Sequence, residues 1–200
     1  NNYCREAYKT GKWAFVSDVA RLVVLKQYGG IYMDTDVEMV KPFDDLLKYN
    51  SFMCFENKES VSIGTLGAQI NSSLIDDFLN AYKNRHFIDS NGKIDFVPNL
   101  KIITPILVKK YGLISNGRRQ LLIDRILVLP MESFIAKDNL TGWILMDDST
   151  YAIHHYSATW CDDEARKYGD LQRRYMRLYM KKLEKFVLKI AIIRATKDFY

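Results

Sequence analysis

Two carboxylates, Asp34 and Asp36, close the apolar run Gly30-Ile31-Tyr32-Met33 at i, i+2 spacing. On an extended strand alternate side chains share a face about 6.5 Å apart, so both are expected to address one divalent cation. An oxygen-ligated Mg²⁺ or Mn²⁺ suits such a pair, and its usual companion in an enzyme is a diphosphate. Asp-x-Asp also occurs in turns, caps and solvated strand ends, so its surroundings must decide. Asp18 and Arg21 stand i, i+3 on the preceding segment and point the same way. They are candidates for the same site, or for a helix salt bridge worth about 0.3 kcal/mol.

The elements that must position these residues follow from periodicity. Val16, Val19, Ala20, Val23 and Val24 match the apolar template of an amphipathic helix, and Gly29 supplies its stop. The Gly29-Gly30 pair permits a tight turn into a buried strand over 31–34, which brings the helix carrying Asp18 and Arg21 near the strand end. Extended structure is expected over 37–40, a short helix over 43–49, strands over 51–55 and 64–70, and a helix over 72–84. A helix over 103–111 and strands over 126–129 and 150–156 follow. Short apolar strands alternating with helices indicate an α/β layered domain. Leu171 to Ile193 reads as a basic amphipathic helix, suited either to its own domain or to an anionic membrane surface.

At this point the motifs become specific. Ser17-Asp18-x-x-Arg21, then Tyr28-Gly29-Gly30-Ile31-Tyr32-x-Asp34-x-Asp36, resembles the signature of sugar-nucleotide-dependent glycosyltransferases with a DXD-motif sugar-binding region. That family includes bacterial capsular polysaccharide transferases and the yeast initiating mannosyltransferase type, and is distantly similar to the glucosylating clostridial toxins. The resemblance is strongest from Trp13 to Leu46. It returns at His154-His155-Tyr156-Ser157-Ala158-Thr159-Trp160, which is similar to the family's His-His-Trp-x-x-Ser-Trp element.

The resemblance implies a GT-A type fold, a Rossmann-like mixed sheet flanked by helices, over residues 1–164, with 165–200 as a basic helical extension. It implies a retaining, Mn²⁺- or Mg²⁺-dependent transfer of a hexose from a UDP- or GDP-sugar to a polysaccharide or lipid-linked oligosaccharide acceptor. By position, Asp36 is a metal ligand, Asp34 contacts the ribose or a metal-bound water, and Asp18 with Arg21 holds the donor sugar. His155 completes the metal site and the Trp160 indole N–H faces the leaving phosphate. His154 and His155 alternate across a strand, so only one faces the site; His155 is preferred and His154 is the alternative. No nucleophile is assigned. Family members usually carry a further strand ahead of the Asp18 helix, and Tyr156 and Thr159 stand where tryptophan and serine are common.

Composition agrees with a globular domain: 200 residues, 48% hydrophobic and 13% aromatic. From Ala165 to Tyr200 eleven Lys or Arg face three Asp or Glu, a net of +8, so of the chain's +5 residues 1–164 carry −3. A mildly acidic body with a basic tail gives no reason to expect nucleic acid. Three cysteines without Cys-x-x-Cys spacing indicate neither a disulfide framework nor zinc, and fit a reducing compartment such as a bacterial cytoplasm, at the inner membrane face given the tail. The chain starts without methionine or a signal-like stretch, which suits a fragment. Two rival readings stand. One is a haloacid-dehalogenase-like phosphohydrolase with Asp34 as nucleophile and a later strand over 143–148; the other is an inactive glycan- or membrane-binding module. Glu56, Asn57, Asp147 and Asp148 read as acceptor-side or turn residues.

Overall fold

A computed structural model describes residues 1–157 and 163–197. They fall into two compact units, one of residues 1–137 and 145–160, the other of residues 138–144 and 161–200.

The first unit opens with two helices, α1 (Asn2–Lys9) and α2 (Trp13–Tyr28), followed by β1 (Gly30–Met33) and β2 (Val37–Met39). After a 3₁₀ turn at Asp44–Leu46 come β3 (Ser51–Phe55), β4 (Val61–Ala68), α3 (Ser73–Lys83) and α4 (Asn99–Tyr111). The strands β5 (Gln120–Leu122), β6 (Ile126–Leu129) and β7 (Ala152–His154) complete it. Five strands form a mixed sheet in the order β1-β4-β3-β6-β5, parallel only between β3 and β6, while β2 and β7 form a separate antiparallel pair. A mixed sheet with helices is the expected α/β class.

The central strands show why the sheet needs cover on both faces. On β3, Met53 and Phe55 face one way and Phe52 and Cys54 the other, and β6 repeats the alternation with Ile126 and Val128 against Leu127 and Leu129. The first face is covered by Tyr3 of α1, Leu22 of α2, Phe78 of α3 and Leu107 of α4. The second is covered by Phe43, Phe134 and Tyr151, whose rings lie 5.6–6.0 Å apart. Each such side chain, fully buried, contributes about 2 kcal/mol.

Two expectations about local structure are corrected. The core face of α2 is Phe15, Val19, Leu22 and Leu25, whereas Val23 and Val24 are 48% and 51% exposed. The apolar residues of this helix extend beyond one stripe, and contact with α1 and α3 selects the side that also carries Asp18 and Arg21. The segment of β1 read as a buried strand is a half-exposed edge, paired only with β4.

The second unit contains α5 (Asp163–Lys197) and the loop 138–144. Among the described residues no helix is long and apolar enough to cross a membrane.

Candidate functional site

The site begins at the turn from α2 into β1. Gly29 and Gly30 both have positive φ, and a Cβ on Gly29 would stand 2.7 Å from the backbone nitrogen of Ile70. Only glycine lets α2 approach β4 this closely. β1 then runs antiparallel to β4 until the Asp34 N–H donates to the Gly64 carbonyl at 2.7 Å.

Asp34 and Asp36 do not end a continuous strand. The Val37 N–H donates to the Asp34 carbonyl at 3.0 Å, so Asp34-Thr35-Asp36-Val37 is a β-turn linking β1 to β2. Shared-face spacing therefore does not place the two carboxylates; two separate sets of partners do.

Asp34 belongs to a buried charge network. Its carboxylate accepts from Tyr32 Oη at 2.7 Å and pairs with Arg21 Nη2 at 3.1 Å. Arg21 is 4% exposed and donates from Nη1 to the Ile63 carbonyl at 2.8 Å and from Nε to the Ser17 carbonyl at 3.1 Å. Its guanidinium lies over the Tyr32 ring at 4.6 Å. Nη2 also pairs with Asp18 at 3.1 Å, and Asp18 accepts from Asn99 Nδ2 at 2.6 Å. Burial pushes the Asp18 carboxyl above its usual value, opposed by Arg21 and the Asn99 hydrogen bond. Burial likewise drives the Tyr32 hydroxyl up to about 12, keeping it a donor to Asp34. Asp18 and Arg21 thus face inward, and the helix salt bridge between them is present but buried, as one part of the network around Asp34.

Asp36 faces the second hairpin. Its Oδ2 accepts from the Ser157 N–H at 2.7 Å, its Oδ1 lies 3.2 Å from His154 Nε2, and its carbonyl accepts from the His155 N–H at 2.9 Å. The β2–β7 register pairs Val37 with His154 and so puts His154 on the Val37 face; the turn over 34–37 takes Asp36 out of the strand alternation and brings its carboxylate to that same side. The preference for His155 is therefore corrected in position: its Nε2 pairs with Glu38 at 2.8 Å, away from the Asp36 carboxylate. Alternation gives two faces, and which of them meets Asp36 depends on the turn that Asp36 occupies.

His154 stacks on Tyr156, ring centroids 4.3 Å apart, and the Tyr156 hydroxyl donates to Glu56 Oε1 at 2.9 Å. Tyr156 takes φ of 53°, a conformation that costs a residue with a Cβ about 1 kcal/mol or more. Burial, then Glu56, raises the Tyr156 hydroxyl well above its usual pKa. Gly64 forms the floor: a Cβ there would stand 2.9 Å from Asp34 Oδ2 and 3.5 Å from His154 Cε1. Asp34 and His154 thus both border Gly64, and Asp36 meets His154 beside them. Trp160 lies outside the described residues.

Among the described residues no three His, Cys, Asp or Glu side chains stand at ligand spacing for one ion. A carboxylate oxygen and an imidazole nitrogen 3.2 Å apart are nevertheless spaced as two neighbours in one coordination shell. That mixed carboxylate and imidazole set fits a divalent ion if diphosphate oxygens and water fill the remaining positions.

Asn99 and Gly64 enter the site without a sequence signal, whereas Glu56, read as an acceptor-side or turn residue, reaches it by accepting from the Tyr156 hydroxyl. Asn57 closes the β3–β4 turn by accepting from the N–H groups of Glu59 and Ser60, and Asp147 caps a turn through Ser149. Residues 143–148 form no strand, so the second strand of the phosphohydrolase reading is missing. Asp34, its intended nucleophile, is engaged by Arg21 and Tyr32.

Comparison with known proteins addresses the part of the site drawn from α2 and β1. Residues 2–53 match the family model described as a glycosyltransferase sugar-binding region containing a DXD motif. The resemblance read from Asp18 to Asp36 is borne out. A relative named "Glucan organizing enzyme 1", from Cryptococcus neoformans var. grubii serotype A, is 36% identical over 81 residues, covering 36% of this chain and 22% of the relative. The matched stretch is about a fifth of that protein's length. No solved structure matches. The family match includes Asp18, Arg21, Asp34 and Asp36 and stops before His154, so the second half of the site rests on its geometry.

Proposed function

We propose that this chain carries the catalytic region of a GT-A type, retaining glycosyltransferase that moves a hexose from a UDP- or GDP-sugar to a polysaccharide or lipid-linked oligosaccharide. The observation that carries the reading is the meeting of Asp36 and His154 at 3.2 Å beside the Arg21–Asp34 pair. The family match at residues 2–53 and the glycan-related relative support it.

In this reading Asp36 and His154 hold a Mn²⁺ or Mg²⁺ ion. When bound, such an ion neutralises charge on the departing diphosphate. Arg21, fixed on four sides, holds Asp34 in place, and Asp34 accepts a hydrogen bond from the donor's ribose or from a metal-bound water. Asp18, held by Arg21 and Asn99, sets the inner wall on the sugar side. The Ser157 N–H keeps Asp36 turned toward His154. Trp160, three residues beyond Ser157, is assigned the indole N–H donated to the leaving phosphate.

A thermal-shift panel of UDP- and GDP-sugars with Mn²⁺ tests this. A donor at a hundredfold excess over its Kd stabilises the fold by about 2.7 kcal/mol, and Asp36→Asn removes the Mn²⁺-dependent part. No shift with any sugar nucleotide, or an unchanged shift in Asp36→Asn, contradicts the reading. Rapid Mg²⁺-dependent hydrolysis of p-nitrophenyl phosphate would favour the phosphohydrolase instead.

A further inference from the structure

The transferase reading leaves the second unit unused. On α5, Tyr168, Leu171, Tyr175, Leu178, Tyr179, Leu183 and Phe186 are exposed. At 100° per residue they share an arc of about 140°. Arg173, Arg174, Arg177 and Lys181 occupy the opposite side, Lys185 borders the apolar arc, and Lys182 falls within it, placed to snorkel. Asp163–Lys197 carries eleven Lys or Arg and four Asp or Glu. Among the described residues, ion pairs within α5 engage only Arg166 with Asp163 and Arg173 with Asp170.

Two alternatives for that apolar face can be separated by period. A coiled-coil partner needs a seven-residue repeat, and stepping from Tyr168 through Leu171, Tyr175 and Leu178 reaches Lys182 and Lys185. The apolar positions continue instead through Tyr179, Leu183 and Phe186, the period of a straight helix lying on a flat surface. Three tyrosines and a phenylalanine on the arc, with unpaired basic side chains beside it, suit the boundary of headgroups and acyl chains. The loop 138–144 of the same unit adds exposed Leu140, Trp143 and Ile144. It is held by the Asp138 N–H donating to the Trp143 carbonyl at 2.8 Å and the Gly142 N–H donating to the Asp138 carbonyl at 2.7 Å.

We infer that α5 is an interfacial helix that docks this chain on a bilayer containing anionic lipid, its aromatic face at the acyl boundary and its basic side toward the headgroups. The charge excess commits the occupant to anionic lipid rather than to a second copy, which would bring like charges together.

Cosedimentation of the full chain with vesicles of phosphatidylcholine, alone or mixed with phosphatidylglycerol, tests the inference. Binding is expected only to the mixed vesicles and falls as salt rises. Arg174→Gln with Lys181→Gln weakens it about 25-fold, at about fivefold per basic residue. Leu178→Ser with Phe186→Ser removes it while helix content by circular dichroism is retained. Absence of binding, equal binding to both vesicle types, or binding unchanged in both double variants overturns the inference. So does a dimer in light scattering that Leu178→Ser with Phe186→Ser dissolves, if no vesicle binding accompanies it.

Discussion

Arg21→Met is the most informative single change, because it removes one guanidinium from two carboxylates and two backbone carbonyls. Arg21 is 4% and Asp18 6% exposed, so Asp18 loses a cation that water does not replace. Removing one partner of a buried pair costs about 3–5 kcal/mol, and the retained Asn99 hydrogen bond places this case near 4 kcal/mol at neutral pH. With a urea slope of about 2 kcal/mol per molar, the unfolding midpoint falls by about 2 M. The pH dependence has a definite sign. Burial already holds the Asp18 carboxyl above its usual value in the folded chain, and Arg21 opposes that shift. A raised carboxyl favours the fold when protonated, so its contribution is lost as pH rises through the folded pKa. Without Arg21 the carboxyl rises further, and acid relieves the damage by up to about 1.4 kcal/mol per pH unit until the unfolded value is reached. Urea unfolding of wild type, Arg21→Met and Asp18→Asn with Arg21→Met near neutral pH and at about pH 5 reads this directly. The single variant's penalty should shrink at the lower pH, and the double variant should lose less than the single one at neutral pH. A penalty below about 1 kcal/mol, or one equal at both pH values, refutes the buried-charge account.

Two further changes probe the floor and wall of the site. Gly64→Ala places a methyl 2.9 Å from Asp34 Oδ2, so it should cost about 1–3 kcal/mol in urea unfolding and weaken nucleotide binding by calorimetry. Tyr156→Phe deletes the 2.9 Å hydrogen bond to Glu56 and keeps the ring against His154; about 1–2 kcal/mol of stability should go while Mn²⁺ affinity is largely kept. Tyr156→Ala removes the ring as well, so Mn²⁺ affinity measured by electron paramagnetic resonance should then drop.

The residues near the opening motif were legible because their chemistry is local. Gly29-Gly30, Asp34 and Asp36 lie within eight positions, and Asp18 and Arg21 are one turn apart on the adjoining helix. The backbone between the aspartates was not legible, since the turn depends on the Asp34 carbonyl accepting from Val37 and on β2 leaving the main sheet to pair with β7. Asn99 reaches Asp18 across 81 positions, a contact that tertiary packing alone creates. The same reason separates His154 from His155: strand alternation puts them on opposite faces, and it is the turn over 34–37 that swings the Asp36 carboxylate to the His154 face. On α2 the valines at 23 and 24 competed with Leu22 and Leu25 for the core side, and the positions of α1 and α3 decided it. α1 itself, with Tyr3 and Ala7 buried among polar neighbours, offered too short an apolar stripe to be read as a helix.

On the proposed reading, Asp36 and His154 together hold the ion that holds the donor diphosphate. Mn²⁺ titration in the presence of UDP or GDP, followed by electron paramagnetic resonance on wild type, His154→Gln and His155→Gln, tests it directly. His154→Gln should weaken Mn²⁺ binding by at least about 10-fold, since even outer partners of metal sites have effects of that size. His155→Gln, which removes only the pairing with Glu38, should leave binding unchanged. The reverse order, or equal affinities in all three proteins, would contradict the account.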